Sequence, residues 1–318
     1  MQLPDERELI ATGRCRSEGS RLWVERLSVE DENDGSLRER LRQGNGSGMR
    51  WNPRVYLKAF DVGLQDTFVY RWNFFLRSIF ELLPLMGTVL IWGVVFDQRE
   101  KGVGGFDFRT VVAYFLIVLF LDGLVTPKDD EFRIAADIRE GQISAFLVKP
   151  INYLLYRFSL FASSRLLFTA MTLPVFLCLF FFTAGYFSWP SDLGLWLVAV
   201  WTTAMAALLQ FFITISIALL AFWMLEISTV VFIVYSFEYM LSGRMFPLAF
   251  MPESVQEVLR WLPFPYELYF PVSVLMNRVH GTDLWFGVGI QAFWVVAAWA
   301  AAQLMWKEGL RKYQAVGG

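Results

Sequence analysis

Histidine and cysteine are almost missing from this chain. Among 318 residues there is one histidine, His280, and there are two cysteines, Cys15 and Cys178. A single histidine excludes a histidine-rich metal site and most schemes of histidine acid–base catalysis. Two cysteines are too few for a disulfide framework, and Cys178, inside "LPVFLCLFFF", reads as a lipid-facing or packing residue. Several signatures are absent as well. No G-x-x-x-x-G-K-[ST] phosphate loop occurs, so the chain does not cradle ATP phosphates in that way, and there is no G-x-S-x-G elbow, H-E-x-x-H or C-x-x-C. Charge is scarce, at 18% of residues against about 25% in an average soluble domain. The opening residues "MQLPDERELI" lack the basic-then-apolar order of a signal peptide, which leaves the first apolar run to act as its own insertion signal.

What fills the space is apolar and aromatic. Apolar residues make up 56% of the chain and aromatics 17%. They gather into runs near the roughly 20 residues a helix needs to cross a bilayer. Six such runs are expected: Ile79–Phe96, Thr110–Thr126, Leu160–Phe187, Leu193–Trp223, Ile227–Leu241 and Leu284–Trp306. The fold class is therefore an all-α polytopic membrane protein with six transmembrane helices. Residues 1–50 are charged, poor in aromatics and end in the Gly/Ser-rich "RQGNGSGM", the composition of a weakly ordered extension and linker. Residues 51–318 form the membrane domain. The stretch 51–77, with Arg54, Lys58, Arg71 and Arg77 among aromatics, suits a helix on the membrane surface.

Orientation follows from positive charge beside the spans. With the N-terminus in the cytoplasm, twelve basic residues fall on the inner side, Lys128, Arg133, Arg139, Lys149, Arg157 and Arg311 among them. Six fall outside: Arg99, Lys101, Arg109, Arg244, Arg260 and Arg278. Both termini are then cytoplasmic. The outer stretch 242–283 is too rich in proline and aromatics for a plain loop. It reads as one or two short re-entrant helices, the first beginning at Pro252 with Val255, Val258, Leu259 and Leu262 on an apolar face.

Ionisable residues within the apolar runs are functional candidates by default. These are Glu81, Arg165, Glu226 and Glu238, with Arg77 and Asp122 near span ends. Arg77 and Glu81 lie four apart on one helix face, the spacing of an ion pair. Glu238 lies deepest, either as a functional carboxylate or as one bonded to a neighbouring helix or to Arg244. Four scattered charges do not make the chain of paired acids expected of a proton-driven pump.

The remaining charged element is "PKDDEFRIAADIREGQISAFLVKPINYLLYRFS", on the cytoplasmic side between the second and third runs. Asp129, Asp130 and Glu131 favour a helix N-terminus, Ile134 and Ile138 share a face, and Gly141 suits a helix end. "ISAFLV" then adds an apolar patch before Pro150. A short element with a greasy face and a charged rim fits docking into a partner's groove or lying on the inner membrane face.

This loop resembles that of permease subunits of type-2 ATP-binding-cassette (ABC) exporters, where I-R-x-G-x-I/L…L-x-[KR]-P-[IV] recurs. Ile138, Arg139, Gly141, Ile143, Leu147, Lys149, Pro150 and Ile151 match it. The later "SGRMFPLAFMPESVQEVLRWLPF" resembles the same class through Phe246, Pro247, Leu248, Met251, Pro252, Leu259, Pro263 and Phe264. The resemblance implies a coupling helix over 134–146 seated in a cleft of a separate ABC ATPase, with Ile134, Asp137, Ile138, Arg139, Gly141, Ile143, Phe146, Lys149 and Pro150 as coupling residues. It implies a second permease, identical or related, and a location in the cell membrane. ATP and magnesium would be held by the partner ATPase and no cofactor by this chain; no nucleic-acid partner is expected. The chain itself would hydrolyse nothing. Glu238, Phe232, Tyr235 and Tyr239 are the candidates for lining the substrate path. Two rivals remain: an ion-coupled secondary transporter, and an intramembrane enzyme using Glu238 with Glu226 or Arg244.

Overall fold

The computed structural model describes residues 53–69, 71–97, 103–127, 130–147, 151–186, 190 and 192–313. The N-terminal extension, Lys149, Pro150 and the side chains of Arg77 and Glu81 lie outside the described residues. Within them the chain is helical throughout, apart from one isolated bridge between Val103 and Phe106.

The order begins with α1 (Pro53–Val69) and α2 (Arg71–Asp97), followed by α3 (Phe108–Val125). The expected surface helix over 51–77 falls partly in α1 and partly in the start of α2. Helix α1 packs along α6 (Tyr153–Phe182). The approach is close because Gly63 has no side chain: a Cβ there would fall 2.1 Å from the Ser163 hydroxyl. Helix α3 starts sharply at Asp107, whose side chain accepts from the Thr110 amide at 3.1 Å. That bond satisfies one of the orphan donors of the first turn. Asn152 does the same for α6, accepting from the Leu155 amide at 3.1 Å.

Two short helices follow α3: α4 (Asp130–Arg139) and α5 (Ile143–Leu147), joined at Gly141 with φ +77°. After α6 come α7 (Leu193–Leu219) and α8 (Ser228–Leu241), then α9 (Glu253–Leu259), α10 (Tyr269–Leu275) and α11 (Gly281–Lys312). Helix α7 is the central post, packing against α11, α4, α10 and α3.

Among the described residues, four helical stretches are long and apolar enough to cross a membrane: Phe108–Arg139, Tyr153–Phe181, Leu193–Phe222 and Gly281–Lys312. Two expected spans are shorter as apolar helices, Leu82–Asp97 and Ser228–Leu241. At 1.5 Å per residue, the 14 residues of α8 rise about 21 Å, less than the ~30 Å hydrocarbon core. The third expected run begins earlier than Leu160, because Asn152 caps the helix before the apolar stretch starts.

The 242–280 segment contains the two short helices anticipated, but their roles differ from expectation. Pro252 precedes the first turn of α9 as its cap rather than opening it. Of the expected apolar face only Leu259 is buried; Val255 and Val258 are exposed. The second helix, α10, is the buried one, with Phe270, Pro271, Val272, Ser273 and Val274 enclosed against α7 and α3.

Candidate functional site

Two places gather the residues singled out by the sequence. The first is the α4–α5 element. Its greasy face does not point toward a partner. Ile134, Ile138 and Ile143 enter a core shared with Tyr153, Phe161, Phe211, Ile215 and Ala302. This corrects the expectation that these isoleucines present a docking face: α7 offers an apolar wall along the same side, and burying each isoleucine is worth about 1.5–3 kcal/mol. Asp137 also turns inward, pairing with Arg157 and accepting from the Tyr153 hydroxyl at 2.6 Å. Phe146 packs edge-on to Tyr153, ring centroids 5.2 Å apart. The Ser144 and Tyr313 hydroxyls lie 3.0 Å apart, joining α5 to the end of α11. What remains outward is a rim: Phe132, Arg133, Arg139, Glu140, Ala145 and Leu147 are all exposed. Of the expected coupling residues, Arg139 alone lies fully on that surface. Beside it stands Glu226, whose carboxyl is held below the usual range by the Ser228 amide and hydroxyl, with a smaller contribution from Arg139.

The second place is a buried charge cluster between α3, α7, α8 and the 242–280 segment. Glu238, on α8, is 1% exposed. Its Oε1 accepts from Gln210 Nε2 at 2.8 Å and from Arg244 Nη1. Arg244 also donates through Nε to Asp122 Oδ1 at 2.6 Å and through Nη2 to the Thr126 hydroxyl at 2.7 Å. Thr126 in turn donates to Asp122 Oδ1 at 2.8 Å. From α6, Arg165 donates to the Thr126 and Gly123 carbonyls at 2.5 and 3.2 Å. Arg244, counted in the sequence among the outer-side charges and as a partner for Glu238, is half-buried and makes that bond.

The backbone around the cluster is fixed with equal care. Tyr114 donates its hydroxyl to the Gly243 carbonyl at 2.6 Å, and the Tyr269 amide donates to the Ser242 carbonyl at 3.0 Å. Gly243 has φ +87°, and a Cβ there would sit 2.6 Å from the Tyr114 oxygen. The turn that aims Arg244 inward thus requires glycine.

The other path candidates do not converge on this site. Phe232 and Tyr239 are 72% and 53% exposed, on the outward side of α8. Tyr235 is half-buried. Its hydroxyl lies 3.4 Å from that of Thr214 and within hydrogen-bonding reach of Glu131 on α4. Tyr235 and Glu238 are three apart on one helix and so share a face. That face therefore carries polar contacts from the α4–α5 element to the buried cluster.

Sequence reasoning missed Glu267, which is 0% exposed and faces Glu238. It also missed Gln210. The signal for Glu267 was present: it is the one acid in the apolar run "WLPFPYELYFPVSVLM", overlooked because that run was read as lying outside the spans. Of the four charges expected to be scattered, Glu238 joins Asp122, Arg244 and Glu267 in this cluster and Arg165 reaches its edge through Thr126, while Glu226 stands apart beside Arg139.

With this geometry in place, the chain can be set against known proteins. No curated protein matches it. Residues 82–317, well over half of its length, match the family described as ABC-2 family transporter protein. The chain belongs to that family: it is a multi-pass membrane protein and the permease, membrane-embedded component of an ABC transporter.

Proposed function

We propose that this chain is one half of the translocation unit of an ATP-driven exporter in the cell membrane. It crosses the membrane six times, with both termini cytoplasmic, and takes its driving force from a separate ABC ATPase. A second copy or a paralogue completes the pathway. Helices α2 and α8 supply the two crossings beyond the four long ones through the apolar stretches Leu82–Asp97 and Ser228–Leu241, which carry exposed apolar side chains such as Leu83, Leu90, Phe232 and Phe237.

The observation that carries the reading is the construction of the α4–α5 element. Its apolar side is anchored in the helical core and its rim of Arg139, Glu140 and Leu147 is left outward. An element rigidly attached in this way transmits a push from a partner to α6 and α7. Motion results only if the ATPase contacts the rim differently in its open and closed states. The intramembrane-enzyme reading draws no support from the site, because Glu238 is enclosed and already bonded to Gln210 and Arg244.

The test is affinity purification in mild detergent from the native host. Wild type is expected to bring down an ABC ATPase. Arg139→Glu combined with Leu147→Asp is expected to lose it while keeping the wild-type melting temperature, since neither side chain is buried. Wild type eluting without an ATPase would overturn the reading.

A further inference from the structure

The buried cluster contains more hydrogen-bond acceptors than donors. Arg244 and Gln210 both donate to Oε1 of Glu238, and its Oε2 is left with no donor among the described residues. Both carboxyl oxygens of Glu267 are in the same position, as is Oε1 of Gln210. These atoms are enclosed, so bulk water does not serve them. The Gln210 amide cannot be turned to help, because its nitrogen is already directed at Glu238. The two carboxyl groups stand within hydrogen-bonding reach of each other. Two facing carboxylates in such a site cannot both be ionised, because their repulsion is unscreened. An unmet acceptor beside another unmet acceptor is costly, and a proton on one of them turns the clash into a short, strong bond.

We propose that Glu238 and Glu267 hold one proton between them, forming a proton-binding site that fastens the 242–280 segment to α8. The assignment stands on the acceptor surplus and on the backbone around it. The Tyr269 amide bonds the Ser242 carbonyl two residues beyond Glu267, so the segment reaches α8 at a fixed register. Among the described residues Asp122, Arg244, Tyr114, Tyr235 and Tyr269 also face this junction, and Arg165 reaches it through Thr126. Arg244 is shared between Asp122 and Glu238, so it balances those two charges incompletely, and its attraction for Glu267 is outweighed by burial and by Glu238. Burial, and after it the Glu238 carboxylate, push the Glu267 carboxyl well above the usual range. The inference does not rest on coupling to an ATPase. It concerns the chain's own carboxyl groups and holds whichever energy source drives transport.

The pH consequence has a definite sign. The folded chain holds a proton that the unfolded chain gives up above the ordinary glutamate range. Stability from this junction is therefore present at acidic pH and lost as pH rises toward the folded value. A glutamine at 267 keeps a donor permanently and removes that dependence.

Infrared spectroscopy of the full chain in lipid nanodiscs, at about neutral pH, tests this directly. Wild type should show a protonated-carboxyl C=O band that disappears in Glu267→Gln and in Glu238→Gln, and persists in Asp107→Asn. Thermal unfolding of the same samples between about pH 5 and 9 gives a second readout. The melting temperature of Glu267→Gln should exceed that of wild type by a margin that grows with pH. Absence of the band in wild type, its survival in Glu267→Gln, or a constant margin across pH would overturn the proposal. So would stabilisation of wild type by sodium at fixed ionic strength that Glu267→Gln lacks, which would make the bound species a metal cation.

Discussion

Arg244 carries more of the architecture than any other single charge. Its three guanidinium nitrogens reach three different acceptors, Asp122 on α3, Glu238 on α8 and Thr126 just beyond α3. Only a planar fork does this. Lysine offers one charged centre and cannot span the three acceptors at once. Replacing Arg244 with glutamine leaves the buried Glu238 and the half-buried Asp122 without their cation, and stripping a buried carboxylate of its partner costs about 3–5 kcal/mol. Arg244→Gln is expected to lower the melting temperature sharply in nanodiscs, and Arg244→Lys to lower it by less. Adding Glu238→Gln to Arg244→Gln should recover part of the loss, because it removes one of the stranded charges. A double variant that melts no higher than Arg244→Gln alone would show that the pair does not act as a unit. Gly243→Ala should fail for a different reason, since its backbone conformation and the Tyr114 hydroxyl leave no room for a side chain.

At the scale of elements, α4 shows how a composition can be read correctly and its direction misjudged. The helix start at Asp130 and the turn at Gly141 follow from local sequence signals and were legible, whereas one helix was expected over 134–146 and the chain forms two, the second from Ile143. The side on which Ile134 and Ile138 lie was legible too. What that side meets was not, because their partners Phe211, Ile215 and Ala302 lie far along the chain. The charge cluster was hidden for the same reason: Asp122 and Arg244 are separated by 122 residues, and no local pattern links them. The long spans were plain because roughly 20 apolar residues leave few alternatives. Length alone does not mark α8 as a crossing, because its 14 residues rise only about 21 Å. The inward side of α4 also makes a quantitative claim. Ile138→Ala removes buried methyl groups and should cost about 2–5 kcal/mol, whereas Arg139→Glu on the neighbouring rim should leave stability nearly unchanged. Comparing melting temperatures decides it: equal losses at the two positions would mean that the isoleucine is not anchored as described.

At the scale of the whole molecule, the two polar places stand at different levels of one bundle. Helix α8 passes both, carrying Tyr235 toward Glu131 and Glu238 toward Arg244. Few of its side chains are enclosed, Val231 and Glu238 being the buried ones. A helix attached by few side chains, with its polar contacts at defined heights, is held in register and remains open to a partner or to lipid along its outer face. The topology that gives these levels their sides is testable with single cysteines, after Cys15 and Cys178 are replaced by serine. Glu140 lies on the α4–α5 rim and Glu257 on exposed α9, at the two ends of α8 by chain order. With cytoplasmic termini, a membrane-impermeant maleimide should label Glu257→Cys in intact cells, and Glu140→Cys only after permeabilisation. The reverse pattern would invert the bundle, placing the α4–α5 rim where no cytoplasmic ATPase reaches it. Labelling of both positions in intact cells would mean an even number of crossings between them, and α6, α7 and α8 could not then all span. The expected pattern follows from those three helices taken together with the excess of basic residues around α4, α5 and the end of α11.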